Sequence, residues 1–206
     1  MNKMPHIDII FFDLGNVLVH VYPERAVDKI ALELGLPPLA VQDLWQEKGP
    51  LFTKLERGLI QPGQFVSELF DGKWRDKKET ALAAFASIFE LNHSVVAVAK
   101  RLAKNYRLSI ISNTNEIHFN KIVSDYPEMI KLFESPITSN KVGSIKPEPE
   151  IYLAALEQLK CRPQESLFID DKKENILAAR DIGMVGIHYS TCNQLKDELE
   201  KLNISL

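Results

Sequence analysis

The chain has 206 residues, 45% hydrophobic and 26% charged, with a formal net charge of −3. That make-up suits a globular protein with one sizeable core, or a core plus a small accessory domain, and argues against a nucleic-acid partner. No apolar run nears membrane-spanning length and MNKMPHID has no apolar signal core, so a cytoplasmic protein without a membrane partner is expected. Cys161 and Cys192 are far apart, show no metal-ligand spacing and are read as reduced thiols.

Residues 7–12 are apolar on both faces and predict a buried central strand, ending in Asp13 with Gly15 shortly after. From residue 23 the pattern turns helical. Ala26, Val27, Ile30, Ala31 and Leu34 share a face over 23–34, with Pro23 in the first turn and Gly35 at the stop. Further helices are predicted over 39–45, 51–57, 62–70 and 76–91, punctuated by Gly49-Pro50 and Gly58. No strand pattern stands between Tyr22 and Leu91. The segment reads as a helical insertion, and Trp45, Phe52, Phe65, Phe70, Trp74, Phe85 and Phe89 read as its own core.

From His93 onward helix and strand alternate. Helices are predicted over 95–104, from 116 to a break at Tyr126-Pro127, and over 129–133, 150–160, 174–181 and 192–202. Strands are predicted over 108–111, 136–138, 166–169 and 184–189, with a loop over 139–146. Such alternation argues for a parallel α/β sheet with right-handed crossovers.

On a parallel sheet the C-terminal strand ends face one crevice. Predicted strands end at Asp13, at Ser112-Asn113 and at Asp170-Asp171, and Lys146 precedes Pro147 at a helix start. Each cluster alone is an ordinary turn or helix cap. Together they are the groups that phosphoryl transfer through a covalent intermediate requires. A carboxylate nucleophile approaching an anionic phosphoryl group needs the charge offset, by Mg2+ held on carboxylates and by a lysine. A hydroxyl and backbone N–H groups hold the remaining phosphoryl oxygens. Two adjacent buried carboxylates would repel each other without a cation.

The motifs Phe12-Asp13-Leu14-Gly15-Asn16-Val17-Leu18, Ile111-Ser112-Asn113, Lys146-Pro147 and Phe168-Ile169-Asp170-Asp171 stand in this order, with Asn175 and Ala178-Ala179 behind the last. In them the chain resembles the haloacid dehalogenase-like (HAD) hydrolases over nearly its whole length. The resemblance implies a Rossmann-like α/β core with a parallel sheet over 1–20 and 92–206. A small α-helical C1 cap over 21–91 would be inserted after the first strand. It implies that Asp13 attacks phosphorus to form an aspartyl-phosphate. Mg2+ would lie on Asp13, the Gly15 backbone carbonyl and the Asp170-Asp171 pair, with Asp171 the direct ligand and Asp170 orienting Lys146 or a metal-bound water. Ser112 and Asn113 would hold the phosphoryl group, Lys146 would pair with its oxygens, and Asn175 would support the acidic loop.

Within the family, FDLGNV, SNTNEIHF and the YPE at Tyr126 look most like the bacterial α-D-glucose-1-phosphate phosphatases. The phosphatase domain of epoxide hydrolases is a more distant likeness. Most phosphatases of the family carry a second aspartate where this chain has Gly15, and it protonates the leaving oxygen. Gly15 keeps the carbonyl and lacks the acid. General acid–base help is worth about 10²–10⁴-fold, so a leaving group that needs little protonation is expected, as in sugar 1-phosphates. His20 is the nearest substitute acid in sequence, with surface or cap packing as its ordinary reading. The expected activity is a Mg2+-dependent phosphatase of small phosphate esters, glucose 1-phosphate among them, in a monomer or weak dimer. The alternatives are a metal-independent 2-haloacid dehalogenase, against which the paired acids count, and a catalytically weak domain with a binding or regulatory role.

Overall fold

Ile9–Phe12 (β1) is buried at every position and forms the middle of a five-stranded parallel sheet in the computed structural model, which describes residues 6–72 and 77–206. The other strands are β4 (Arg107–Ser112), β5 (Ile137–Thr138), β6 (Ser166–Asp170) and β7 (Val185–His188), in the order β5-β4-β1-β6-β7. Alternate residues of β1 face opposite ways, as strand geometry requires. Ile10 and Phe12 pack with helices α6 (His93–Leu102) and α12 (Cys192–Lys201) through Val95, Ala99, Leu102, Leu195 and Leu199. Ile9 and Phe11 pack with α10 (Pro149–Leu159) and α11 (Lys173–Asp181) through Ile151, Tyr152, Ala155, Ile176 and Ala179. Cover on both faces is why the strand reads as continuously apolar.

Register then sets the site. Phe12 lies opposite Ile110 of β4 and Ile169 of β6, and Asp13 N donates to Ile169 O at 2.8 Å. Asp13 and Asp170 therefore leave neighbouring strands at the same level of the sheet.

The insertion holds α1 (Pro23–Leu34), α2 (Pro38–Glu47), α3 (Gly49–Glu56), α4 (Pro62–Leu69) and α5 (Lys78–Ala86). They share an apolar cluster that includes Val27, Ile30, Leu55, Phe65, Leu69 and Phe85. Its aromatic rings pack edge to face or tilted, with Trp45–Phe52 at 5.6 Å, Phe52–Phe65 at 5.1 Å and Phe65–Phe85 at 5.1 Å between centroids. Gly49-Pro50, expected as a break, opens α3.

The helix expected over 76–91 stops at Ala86, and Phe89–Leu91 is instead a strand, β3, antiparallel to β2 (Val19–Val21). This corrects the expectation of no strand before Leu91. Three-residue strands show no readable alternation, and this one's partner lies far off in sequence. Phe89 accordingly packs against the sheet's core rather than the insertion's. Trp74 and the expected helix start at Asp76 lie outside the described residues. The loop expected over 139–146 contains a short helix, α9 (Ser139–Val142), ended by Gly143 at φ 81°. The helix from residue 116 is α7 (Glu116–Asp125), and the turn expected over 129–133 starts earlier, as α8 (Pro127–Ile130), with its proline in the first turn. No helix among the described residues is long and apolar enough to cross a membrane.

Candidate active site

Asp13 is 8% exposed, at the lip of β1. Its Oδ1 accepts from Leu14 N at 2.7 Å and lies 2.7 Å from Lys146 Nζ. Hydrogen bonds from the described residues reach Oδ1 only. Burial pushes the Asp13 carboxyl up to about 6, against the pull of Lys146.

Lys146 is 4% exposed, far from the solvated state usual for a lysine. Its Nζ lies 2.7 Å from Asp170 Oδ2 and donates to Ile111 O at 3.0 Å, so with Asp13 all three ammonium protons have partners. Burial alone would lower its pKa. The two carboxylates outweigh that and hold it above the ordinary lysine value.

Asp170 is fully enclosed. Asn175 Nδ2 donates to both its oxygens at 3.0 Å, and Lys172 N donates to Oδ1 at 2.7 Å. Asn175 thus supports the acidic loop as expected. Asp171 is half-buried, and its Oδ2 receives one long contact, 3.4 Å, from Asn16 Nδ2. Burial and the charge of Asp170 raise its pKa. Carboxylate oxygens of Asp13, Asp170 and Asp171 lie within 4.8 Å of one another. Lys146 bridges two of the three.

Ser112 closes β4 at 2% exposure. Asn113 does something the sequence did not suggest. Its Oδ1 accepts from Lys146 N at 2.7 Å and its Nδ2 donates to Lys146 O at 3.0 Å. The side-chain amide pairs with the lysine's backbone and fixes the loop that delivers it. Gly15 follows Asp13 with no left-handed φ, and a Cβ there would come 3.4 Å from Val21 Cγ2, an ordinary contact. The backbone therefore does not demand glycine at 15. His20 lies exposed on β2, opposite Glu90, with its ring 6.3 Å from that of Tyr22.

Other residues enter the site through contacts that the sequence does not show. Asn16 adopts φ 55°, a region asparagine tolerates, and so reaches Asp171. Ser139 Oγ accepts from Thr114 N at 2.9 Å and donates to Glu56 O at 2.7 Å, tying the loop after β4 to the end of α3. Arg57 grips Glu148 through both guanidinium nitrogens. Gly58, at φ 66°, sits so close to Asn140 that a Cβ would fall 2.2 Å from its carbonyl oxygen. Only the helix stop at Gly58 was visible beforehand. The contacts join residues too far apart in sequence to leave a pattern.

The family model of haloacid dehalogenase-like hydrolases matches residues 7–183. The chain is 28% identical over 188 residues to the D-ribitol-5-phosphate phosphatase of Bacteroides thetaiotaomicron, covering 84% of this chain and 87% of that one. It is 26% identical over 186 residues to phosphoglycolate phosphatase 1 of Pseudomonas aeruginosa, covering 85% and 66%. A HAD family enzyme of Bacteroides thetaiotaomicron, solved in complex with magnesium and inorganic phosphate, superposes with a TM-score of 0.78 at 27% identity, over 89% of this chain and 94% of that one. The two phosphatases are named for esters other than glucose 1-phosphate. The sequence match spans β1 through α11 and takes in every motif at the strand ends, and on that ground the chain belongs to the haloacid dehalogenase-like hydrolases.

Proposed function

We propose that this hydrolase is a Mg2+-dependent phosphatase of small phosphorylated metabolites, sugar phosphates foremost, working through an aspartyl-phosphate on Asp13. The carrying observation is the cluster of Asp13, Asp170 and Asp171, whose oxygens lie within 4.8 Å of one another while Lys146 engages only two of them. An all-oxygen donor set with an under-compensated carboxylate suits a hard divalent cation. Asp13, Asp171 and the Gly15 carbonyl would hold it, with Asp170 behind, fastened by Lys146 and Asn175. When bound, the ion would offset charge on the phosphoryl oxygens. The magnesium and phosphate complex of the similar HAD enzyme supports this reading.

In this reading Leu14 N–H and Lys146 hold Oδ1 of Asp13, leaving Oδ2 to attack. An Oδ2 lone pair bonds to phosphorus, the ester P–O bond breaks, and its electron pair leaves on the alcohol oxygen. Lys146 stays protonated and steadies the phosphoryl oxygens. Ser112 hydrogen-bonds the same group from the end of β4. Asn113 acts through Lys146, by holding its peptide. Water then bonds to phosphorus as the P–O bond to Asp13 breaks, which gives inorganic phosphate and the Asp13 carboxylate, and the proton that the water loses balances the one the departing alcohol oxygen takes up. The helical cap, residues 21–91, meets the remainder of the substrate above the core formed by 1–20 and 92–206. Gly15 favours sugar 1-phosphates such as glucose 1-phosphate, because an anomeric hydroxyl is more acidic than an ordinary alcohol.

The test is a phosphate-ester panel with Mg2+ or EDTA, run beside 2-chloropropionate. Phosphate release that EDTA stops and Mg2+ restores is expected. Halide release indifferent to EDTA would overturn the reading in favour of a dehalogenase, the enzyme class that also dispenses with an acid at this position.

A further inference from the structure

Lys146 is delivered to the site by a turn, and the turn is fastened from two sides. On the core side, the Asn113 amide holds both backbone groups of Lys146. The second fastening is Glu148. Its backbone N–H donates to Ile145 O at 2.8 Å. Its carboxylate Oε2 accepts from Ile145 N at 3.2 Å and from the Ser144 hydroxyl at 3.0 Å. Ile145 and Glu148 are therefore tied to each other twice, with Lys146 between the ties.

The Glu148 carboxylate is itself held, from the insertion. Arg57, which follows the last residue of α3, donates to Oε2 through Nη1 at 3.0 Å and to Oε1 through Nη2. Nη1 also reaches Gly143 O at 3.4 Å. A two-pronged contact of this kind fixes the rotation of the carboxylate as well as its place. Hydrogen bonding from Arg57 holds the Glu148 carboxyl down at about 2, so the acceptor stays charged. The two side chains are 27% and 37% exposed, and ion pairs that wet add little to stability. Geometry is the stronger account of the pair, because one end belongs to the insertion and the other to the turn that carries Lys146.

We propose that Arg57 is a positioning residue for Lys146, acting through Glu148, so that the insertion helps to assemble the phosphoryl-binding lysine as well as meeting the substrate. The proposal rests on the phosphatase reading, in which Lys146 steadies the phosphoryl oxygens. Without the fork the Glu148 carboxylate is free to turn towards solvent. The Ile145 N–H and the buried Ser144 hydroxyl then lose their acceptor, and the turn keeps only its fastening at Asn113. A misplacement of about 1 Å in a catalytic group costs about 10²-fold. Lysine at position 57 would supply the charge without the fork.

The experiment compares wild type, Arg57→Ala, Arg57→Lys, Glu148→Ala, the double variant of the two alanines, and the exchanged pair Arg57→Glu with Glu148→Arg. Three quantities are read: kcat/KM on p-nitrophenyl phosphate with Mg2+, affinity for inorganic phosphate with Mg2+, and the melting shift caused by Mg2+ alone. Arg57→Ala and Arg57→Lys should each lose about 10²-fold in kcat/KM and bind phosphate more weakly, while the Mg2+ shift is retained. The double variant should be no worse than Glu148→Ala, because the two residues act in series. The exchanged pair restores the link between insertion and core, but an arginine at 148 cannot accept from Ile145 or Ser144. It should therefore stay as impaired as Arg57→Ala. Recovery in the exchanged pair, additive losses in the double variant, or wild-type values in Arg57→Lys overturn the proposal. A further readout needs no turnover: amide hydrogen exchange across 143–148 should quicken in Arg57→Lys while that of β4 does not, and unchanged exchange across 143–148 overturns the proposal too. Asp13→Asn that still releases phosphate would sink the parent reading instead, and the exchange result does not depend on it, so the two failures are told apart.

Discussion

Lys146 is the residue on which the site's electrostatics turn. It is enclosed with Asp13 and Asp170 and gives each a 2.7 Å contact. Removing one partner from such a set strands the others without compensation, at a cost of about 3–5 kcal/mol. Lys146→Ala should therefore lower the denaturant midpoint by an amount corresponding to that range as well as abolish turnover. Adding Asp170→Asn should recover part of the stability and none of the activity. Asp13→Asn should behave differently. It removes one negative charge from a crowded acid cluster, so turnover should fall by orders of magnitude while the melting temperature stays within a few degrees. Gly15 is a chemical choice rather than a conformational one, because a side chain there meets only an ordinary contact at Val21. Gly15→Asp should accordingly extend turnover towards ordinary alkyl phosphates, measured as the rate on an alkyl ester relative to that on an anomeric one.

At the scale of elements, besides the β2–β3 pair at its neck, the insertion meets the core among the described residues at two joints. One is the end of α3. Gly58 needs a left-handed backbone, which costs other residues about 1–2 kcal/mol, and a methyl there would meet the Asn140 carbonyl at 2.2 Å. Gly58→Ala should lower the melting temperature by several degrees and raise KM more than it lowers kcat, because it shifts the end of α3 against the 139–148 segment without touching Asp13. The other joint is between α5 and α7. His118 Nε2 faces Phe85 O at 3.2 Å, and a carbonyl only accepts, so Nε2 carries the proton and Nδ1 accepts from Asn115 Nδ2 at 3.1 Å. Its ring stacks on Phe85 at 4.7 Å. Burial lowers its pKa to about 4, partly opposed by the hydrogen bond to Phe85. A histidine whose folded-state pKa lies below the unfolded value adds stability above pH 6.5, and that stability is lost as pH falls from 6.5 towards 4, by up to roughly 3 kcal/mol. Melting temperature measured across that window should drop in wild type, and the drop should flatten in His118→Phe.

At the scale of the whole molecule, a cation held by the acid cluster, as the proposed function requires, would stabilise the folded chain. A ligand that binds only the folded state stabilises it by about 2.7 kcal/mol at a hundredfold excess over Kd. Mg2+ should therefore raise the wild-type melting temperature without any substrate present, and Asp171→Asn should remove the shift. An equal shift in that variant would place the ion elsewhere.

The sequence by itself determined the buried sheet, the helical insertion and which residues stand at the strand ends. Each of these follows from a local rule: apolar runs make buried strands, parallel strands share one open end, and proline and glycine punctuate helices. Tertiary structure alone decided what those residues do to one another. It turned Asn113 onto the Lys146 backbone, buried Lys146 between two carboxylates, paired β2 with β3 across the neck of the insertion, and tied the end of α3 to Ser139. None of these leaves a periodic trace, because each joins atoms from distant segments whose meeting depends on the packing of the whole chain.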